Sequence, residues 1–129
     1  MLHLALHLDA LGAGFDMKDA SAYNVQFIDS QPVFVDTLSF IKYREGAHWA
    51  GYKQFCEQFL NPLVLSAVCG IEFNAWYRGA MVGIELTAIA RILPWYSLFR
   101  PALLTNIHLH ARAIASIDAT TGSVDFPKR

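Results

Sequence analysis

Residues 18–36, which read KDASAYNVQFIDSQPVFVD, decide the β part of the fold. Residues 24–28 and 33–37 are rich in β-branched and aromatic side chains, which favour strands. The DSQP between them is typical of a turn, because Asp initiates turns and Pro fixes φ. The pattern predicts a β-hairpin. A two-stranded hairpin is marginal alone in water, so we expect it to pack on helices.

The rest of the chain has helical patterns. Residues 1–11 place Leu4, Leu8 and Leu11 on one helical face, and the lack of a capping residue before the helix suggests the end of a longer one. Further helices are predicted over residues 48–60, 63–68, 84–93 and 101–116, with Gly70 and Pro94 as stop signals. We therefore predict an α+β fold that is mostly helical, with one β-hairpin packed on four to five helices. Residues 1–117 are expected to be one domain, as a fragment of a longer protein, followed by a flexible tail over 118–129.

Composition narrows the possible partners. The apolar fraction is 54% and the charged fraction 16%, so we expect some apolar surface to face a partner. The basic residues are scattered singly and the net charge is −1, which argues against nucleic acid and a membrane surface as partners. No signal peptide and no membrane-length apolar run is recognisable, and Cys56 and Cys69 are read as free buried thiols, so we predict a cytoplasmic protein.

Three oxygen-bearing side chains flank the predicted hairpin. Asn24 opens its first strand, Asp36 closes its second, and Asp19 lies in the preceding loop. Because the outer ends of a hairpin meet, these side chains are expected to lie close together. Mg²⁺ prefers oxygen ligands, and phosphoryl transfer needs an Asp that orients the attacking hydroxyl. We predict Asp19 as a catalytic base and Asn24 and Asp36 as metal ligands, with turn and cap roles as the alternative.

The same segment resembles the catalytic loop of kinase-like phosphotransferases of the aminoglycoside-phosphotransferase type, which read HxDx4N and then ID followed by an aromatic residue. Met17 stands at the His position and Thr37 at the aromatic position, and only 18 residues precede Asp19 in this sequence, so we expect these residues to lack a nucleotide-binding lobe. The resemblance implies part of a kinase-like C-terminal lobe that binds Mg²⁺ and a phosphorylated ligand.

A longer resemblance is carried by KDASAYNVQF, PVFVDTLSF, YREGAHWAGYKQFCEQFLNPL and RPALLTNIHLHARA. These segments are similar to the NoeA-related nodulation proteins, a bacterial family usually described as SAM-dependent methyltransferases, and the similarity runs over residues 11–112. It implies a region upstream of a methyltransferase domain, with SAM as the family's cofactor. The chain has no Gly-rich loop after a strand, where such a domain binds SAM. Cofactor-binding residues are therefore unknown, and it stays open whether this chain is itself an enzyme.

Several other side chains are candidates for a chemical role. His3 and His7 are four residues apart on one helical face, a spacing that suits a metal, but we expect no acid or Cys nearby to complete a set. Trp95, Tyr96 and Phe99 follow Pro94 and suggest a docking surface. His108 and His110 are two residues apart and point to different faces of a helix, so one of them is interpreted as a buried residue or a local hydrogen-bond partner.

Three functions follow from these observations. In the first, which the longer resemblance implies, the chain would be a segment of a NoeA-related, SAM-dependent methyltransferase-like protein that supports or presents substrate to a methyltransferase domain outside these residues. Alternatively, it is a kinase-like remnant that binds Mg²⁺ and a phosphorylated ligand. As a third possibility, it is a structural helical module that forms a homo-oligomer through its apolar surface.

Overall fold

A computed structural model describes residues 2–72, 74 and 79–121 of the chain, with the backbone alone for 117–121. These residues divide into two compact units, Met1–Leu60 and Asn61–Arg129. The single domain expected over residues 1–117 stays a prediction. In the expected tail, residues 118–121 belong to a helix and residues 122–129 lie outside the described residues.

The first unit contains two small antiparallel sheets. Strand β2, Val25–Ile28, pairs with β3, Gln31–Phe34, and forms the predicted hairpin. Strand β1, Phe15–Met17, pairs with β4, Phe40–Lys42, a sheet that the sequence did not predict. Strands of three residues are too short to show an alternating pattern, which explains why they were missed.

The hairpin turn is shorter than predicted. Asp29 and Ser30 form it, with Asp29 at φ +54°, and Pro32 lies within β3 opposite Phe27. Pro32 fits because Val35 N donates to Asn24 O, which makes Asn24 and Val35 a hydrogen-bonded pair. Such pairs alternate with non-bonded ones, so Pro32 stands where no ladder N–H is needed. Part of this hairpin is open to solvent, since Phe27 and Ile28 are 69% and 65% exposed.

The first helix, α1, spans Leu2–Gly12, as predicted, but it buries a different face. His3 and His7 are its buried residues, whereas Leu8 is 69% exposed. The predicted helix over residues 48–60 begins at Tyr52: α2 spans Tyr52–Phe55 and continues as a π-helix over Cys56–Leu60. Residues 48–51 are not helical because backbone and side-chain groups of Trp49, Ala50 and Gly51 bond to β1 instead.

The second unit is helical and has an aliphatic core. Helix α3 spans Asn61–Cys69 and ends at Gly70, whose φ of +67° supports the predicted stop. Helix α4 spans Leu86–Ile92, and a 3₁₀ turn follows at Trp95–Phe99. Helix α5, Pro101–Leu103, passes through a π-helix over Leu104–Leu109 into α6, His110–Thr121. The buried core of this unit is formed by Leu65, Ile84, Leu86, Ile89, Leu93, Ile107 and Ala111.

The architecture confirms the mostly helical α+β class. Its likeness to a kinase-like lobe stays a prediction. Within the described residues, no helix has both the length and the apolar character that a bilayer span requires.

Candidate functional site

The predicted trio lies at the open end of the hairpin, and each member has a structural partner. The Asp19 carboxylate accepts a hydrogen bond from Ser21 N at 3.0 Å. The Asp36 carboxylate accepts one from Leu38 N at 2.9 Å and so caps the 3₁₀ turn Thr37–Ser39. Asn24 Nδ2 donates to the Asp19 carbonyl oxygen at 3.4 Å.

Ser39 joins two members of this trio. Its hydroxyl accepts from Asn24 Nδ2 at 2.9 Å and donates to Asp36 Oδ2 at 2.7 Å, and the residue is fully buried. The structure therefore brings Asn24 and Asp36 together through one hydroxyl. The Asp19 side chain turns to its own loop instead. The catalytic role of Asp19 and the metal roles of Asn24 and Asp36 stay predictions.

A second polar cluster was not predicted. His7 Nε2 donates to Asp16 Oδ1 at 2.9 Å, and both residues are buried. The other Asp16 oxygen, Oδ2, accepts from Ala50 N at 3.0 Å. A buried carboxylate is costly unless hydrogen-bonded, and these two donors satisfy that requirement. In the described residues, no three His, Cys, Asp or Glu side chains are grouped closely enough to hold a metal ion.

Trp49 packs against the His7–Asp16 pair. Its indole stacks on the His7 ring, with centroids 4.3 Å apart and planes inclined by 23°. Its Nε1 donates to Met17 O at 2.6 Å, and Gly51 N donates to the same oxygen at 3.1 Å. Residues 49–51 are thereby held against β1, which places the Ala50 amide next to Asp16.

His3 occupies a parallel position one helical turn earlier. Its Nε2 donates to Ser21 O at 3.0 Å, and its ring contacts Phe34 and Phe59, at 5.6 and 4.6 Å between centroids. Burial lowers the pKa of His3, while the hydrogen bond to Ser21 partly opposes that shift. A low pKa keeps this ring neutral, as its apolar surroundings require.

An open groove of about 460 Å³ lies over Asp16. Its walls come from β4 and the loop that follows. The lining residues are Asp16, Ile41, Lys42, Arg44, Ala47, His48 and Ala50. The groove is therefore apolar in Ile41 and the two alanines, basic in Lys42 and Arg44, and has one carboxylate at its base. Its volume falls within the range of small-molecule sites.

One feature of the sequence indicates the site around His7 and Asp16. His3 and His7 share one face of a helix that is otherwise rich in Leu, and the carboxylate beside His7 belongs to Asp16. Asp16 is nine residues beyond His7, on a strand of three residues, so only the chain reversal at Gly14 brings them together. That reversal, with Gly14 at φ +84°, needs the freedom of glycine.

Three other expectations concern the second unit and the two cysteines. Ser97 is fully buried, and a 2.7 Å hydrogen bond joins its Oγ to His108 Nε2, as expected of a local partner. Trp95 and Phe99 are 72% and 77% exposed, which fits the predicted apolar surface. Cys56 and Cys69 are both free, the first buried and the second half-buried.

Comparison with known proteins gives one informative match. No family model matches the chain, and no solved structure matches it. The nodulation protein NoeA of Rhizobium meliloti (strain 1021) is 44% identical over 121 residues. The aligned region covers 94% of this chain and 25% of NoeA, so the chain spans about a quarter of the length of that relative. The chain is therefore similar to one segment of NoeA, a larger nodulation protein.

Proposed function

We propose that this chain is the substrate-holding segment of a NoeA-related, SAM-dependent methyltransferase-like protein. It would present a small molecule to a methyltransferase domain encoded outside the aligned quarter. The observation that carries the proposal is the groove over Asp16. It combines a small-molecule volume with a carboxylate held in place by His7 and the Ala50 amide.

The length of NoeA outside the aligned region supports separate substrate-holding and catalytic segments. Three quarters of NoeA lie outside the aligned region, enough for a separate catalytic domain. The proposal places the protein in the cytoplasm, where the free thiols of Cys56 and Cys69 would stay reduced.

A SAM titration tests this assignment. We expect SAM to leave the melting temperature of this chain unchanged and to raise that of full-length NoeA from Rhizobium meliloti. A ligand at 100 times its Kd adds about 2.7 kcal/mol to stability, so a real complex would be visible. SAM binding by this chain, or none by the full-length relative, would contradict the proposal.

A kinase-like function is the second candidate, favoured by the Asn24–Ser39–Asp36 hydrogen-bond chain. In that case Mg²⁺-ATP would stabilise the chain, and Asp36→Asn would abolish the effect. Asp9→Asn is the matched control, since Asp9 is exposed on α1. An unchanged melting temperature of the unmodified chain with Mg²⁺-ATP would exclude this function.

The third candidate is an oligomerisation module, favoured by the exposed Trp95 and Phe99. Sedimentation of the chain would then show a concentration-dependent dimer or larger species, and Trp95→Ser with Phe99→Ser would return it to monomer. A monomer at every concentration would exclude it.

A further inference from the structure

We propose that the groove over Asp16 takes a small hydroxylated anion, such as a phosphorylated or carboxylated polyol, as its ligand. This inference rests on the proposed function and deepens it by naming the chemical class of the ligand. The evidence comes from the first unit alone.

The positive charge of the groove comes from its walls. Lys42 and Arg44 are both exposed and both line the groove, two residues apart along one edge. Neither forms an ion pair among the described side chains, where the salt bridges are His7–Asp16 and Lys53–Glu57. Arg presents a planar fork that matches phosphate and carboxylate oxygens, and Lys adds a point charge. Two uncommitted cations over one cavity favour an anionic ligand.

The Asp16 carboxylate at the base of the groove favours a second feature of the ligand, its hydroxyl groups. The Asp16 carboxylate has about four lone-pair directions. The hydrogen bonds from His7 and Ala50 occupy two of them, one on each oxygen. Asp16 also lines the groove, and our inference assigns one of the remaining directions to a donor in the cavity. A carboxylate repels an anion but accepts hydrogen bonds from hydroxyl groups, so the hydroxyls of the ligand would face Asp16 and its anion would face Arg44.

The rigidity of the base makes this selection effective. His7 is held by the stacked Trp49 ring, and Ala50 is held by the neighbouring bonds to Met17 O. A carboxylate fixed from two sides needs no reordering when a hydroxyl binds, which lowers the entropic cost of recognition. Ile41 and Ala47 give the carbon skeleton an apolar wall.

Calorimetric titration of this chain with three probes tests the inference. Glycerol 1-phosphate carries both features, n-propyl phosphate lacks the hydroxyls, and glycerol lacks the anion. We expect glycerol 1-phosphate to bind at least fivefold more tightly than n-propyl phosphate, and glycerol to show no measurable heat. Equal affinity for the two phosphates would overturn the role of Asp16 without requiring a variant that disturbs the buried pair.

Two matched double variants test the role of the basic wall. Lys42→Ala with Arg44→Ala should weaken glycerol 1-phosphate binding at least tenfold. Arg91→Ala with Arg112→Ala removes the same charge from exposed positions of the second unit and should leave binding within twofold. An equal loss in both pairs, or in neither, would overturn the proposed site. Since no probe carries a methyl group donor, a failure of the proposed ligand class can be distinguished from a failure of the SAM titration.

Discussion

Gly51 offers the sharpest test of how the wall of the groove is built. A Cβ added at this position would lie 2.7 Å from Met17 O and 3.1 Å from both Ala20 Cβ and Trp49 Nε1. The backbone of Gly51 is not in the left-handed region, with φ −84°, so the cost of Gly51→Ala is steric. The Met17 oxygen cannot retreat freely, because it accepts hydrogen bonds from the Trp49 indole and from Gly51 N.

The magnitude follows from those contacts. Overpacking a close contact costs about 1–3 kcal/mol, and weakening one of the two bonds to Met17 O adds about 1 kcal/mol. We therefore expect Gly51→Ala to lower the free energy of unfolding by about 2–4 kcal/mol. Urea denaturation followed by circular dichroism measures this, with an unchanged slope as the check that only stability has changed.

Two further Gly→Ala substitutions serve as controls, since a Cβ at either meets open space. Gly12→Ala, at the end of α1, should stabilise the chain by about 0.5 kcal/mol, because alanine restricts the unfolded chain more than glycine does. Gly46→Ala should cost about 1–2 kcal/mol, because its φ is +75°. If Gly51→Ala were as stable as Gly12→Ala, residues 49–51 would not lie against β1 and our account of the groove would fail.

Three other predictions concern the first unit. Trp49→Phe should cost about 1–2 kcal/mol in urea denaturation, because Met17 O loses its indole donor; an unchanged midpoint would contradict the contact. Ser39→Ala should cost about 2 kcal/mol by the same assay, because the Asp36 carboxylate loses a buried hydroxyl donor; no loss would mean that this hydroxyl is dispensable. The pKa of His3 is lowered by burial from 6.5, so the unfolded chain binds the proton more readily. The contribution of His3 to the free energy of unfolding is therefore fully present above pH 6.5 and is lost as the pH falls through 6.5 towards the folded-state pKa. His3→Gln should flatten the pH dependence of stability between pH 7.5 and 5.5, and identical pH profiles for the two chains would contradict this prediction.

Elements with strong local signals could be predicted from the sequence. The hairpin, α1, α3 with its Gly70 stop, and the helix that follows Pro101 each have their own pattern of apolar spacing and breakers. The start of α2 could not be predicted, because residues 48–51 fit the helical period and only their bonds to Asp16 and Met17 keep them out of the helix. Tertiary contacts of this kind override local propensity.

The candidate site could likewise be predicted only in part from the sequence. Closeness of Asn24 and Asp36 followed from hairpin geometry alone, but the bridging Ser39 did not, since it comes from a turn that carries no hairpin pattern. The buried face of α1 was misread because Leu residues are normally the buried ones. His3 and His7 are buried instead because each finds an oxygen partner outside the helix, Ser21 O and Asp16. Such a partner, formed through a loop, cannot be read from spacing.

The most direct test of the central claim is an amide ¹H–¹⁵N spectrum of the chain titrated with glycerol 1-phosphate. Ala50 N–H bonds to the Asp16 carboxylate at the base of the groove, so its signal reports on that carboxylate. Our account predicts saturable shifts at Ala50 and at its groove neighbours Lys42 and Arg44, with the amides of the second unit unmoved. Shifts spread evenly over exposed amides, or an unmoved Ala50 signal at saturating ligand, would contradict it.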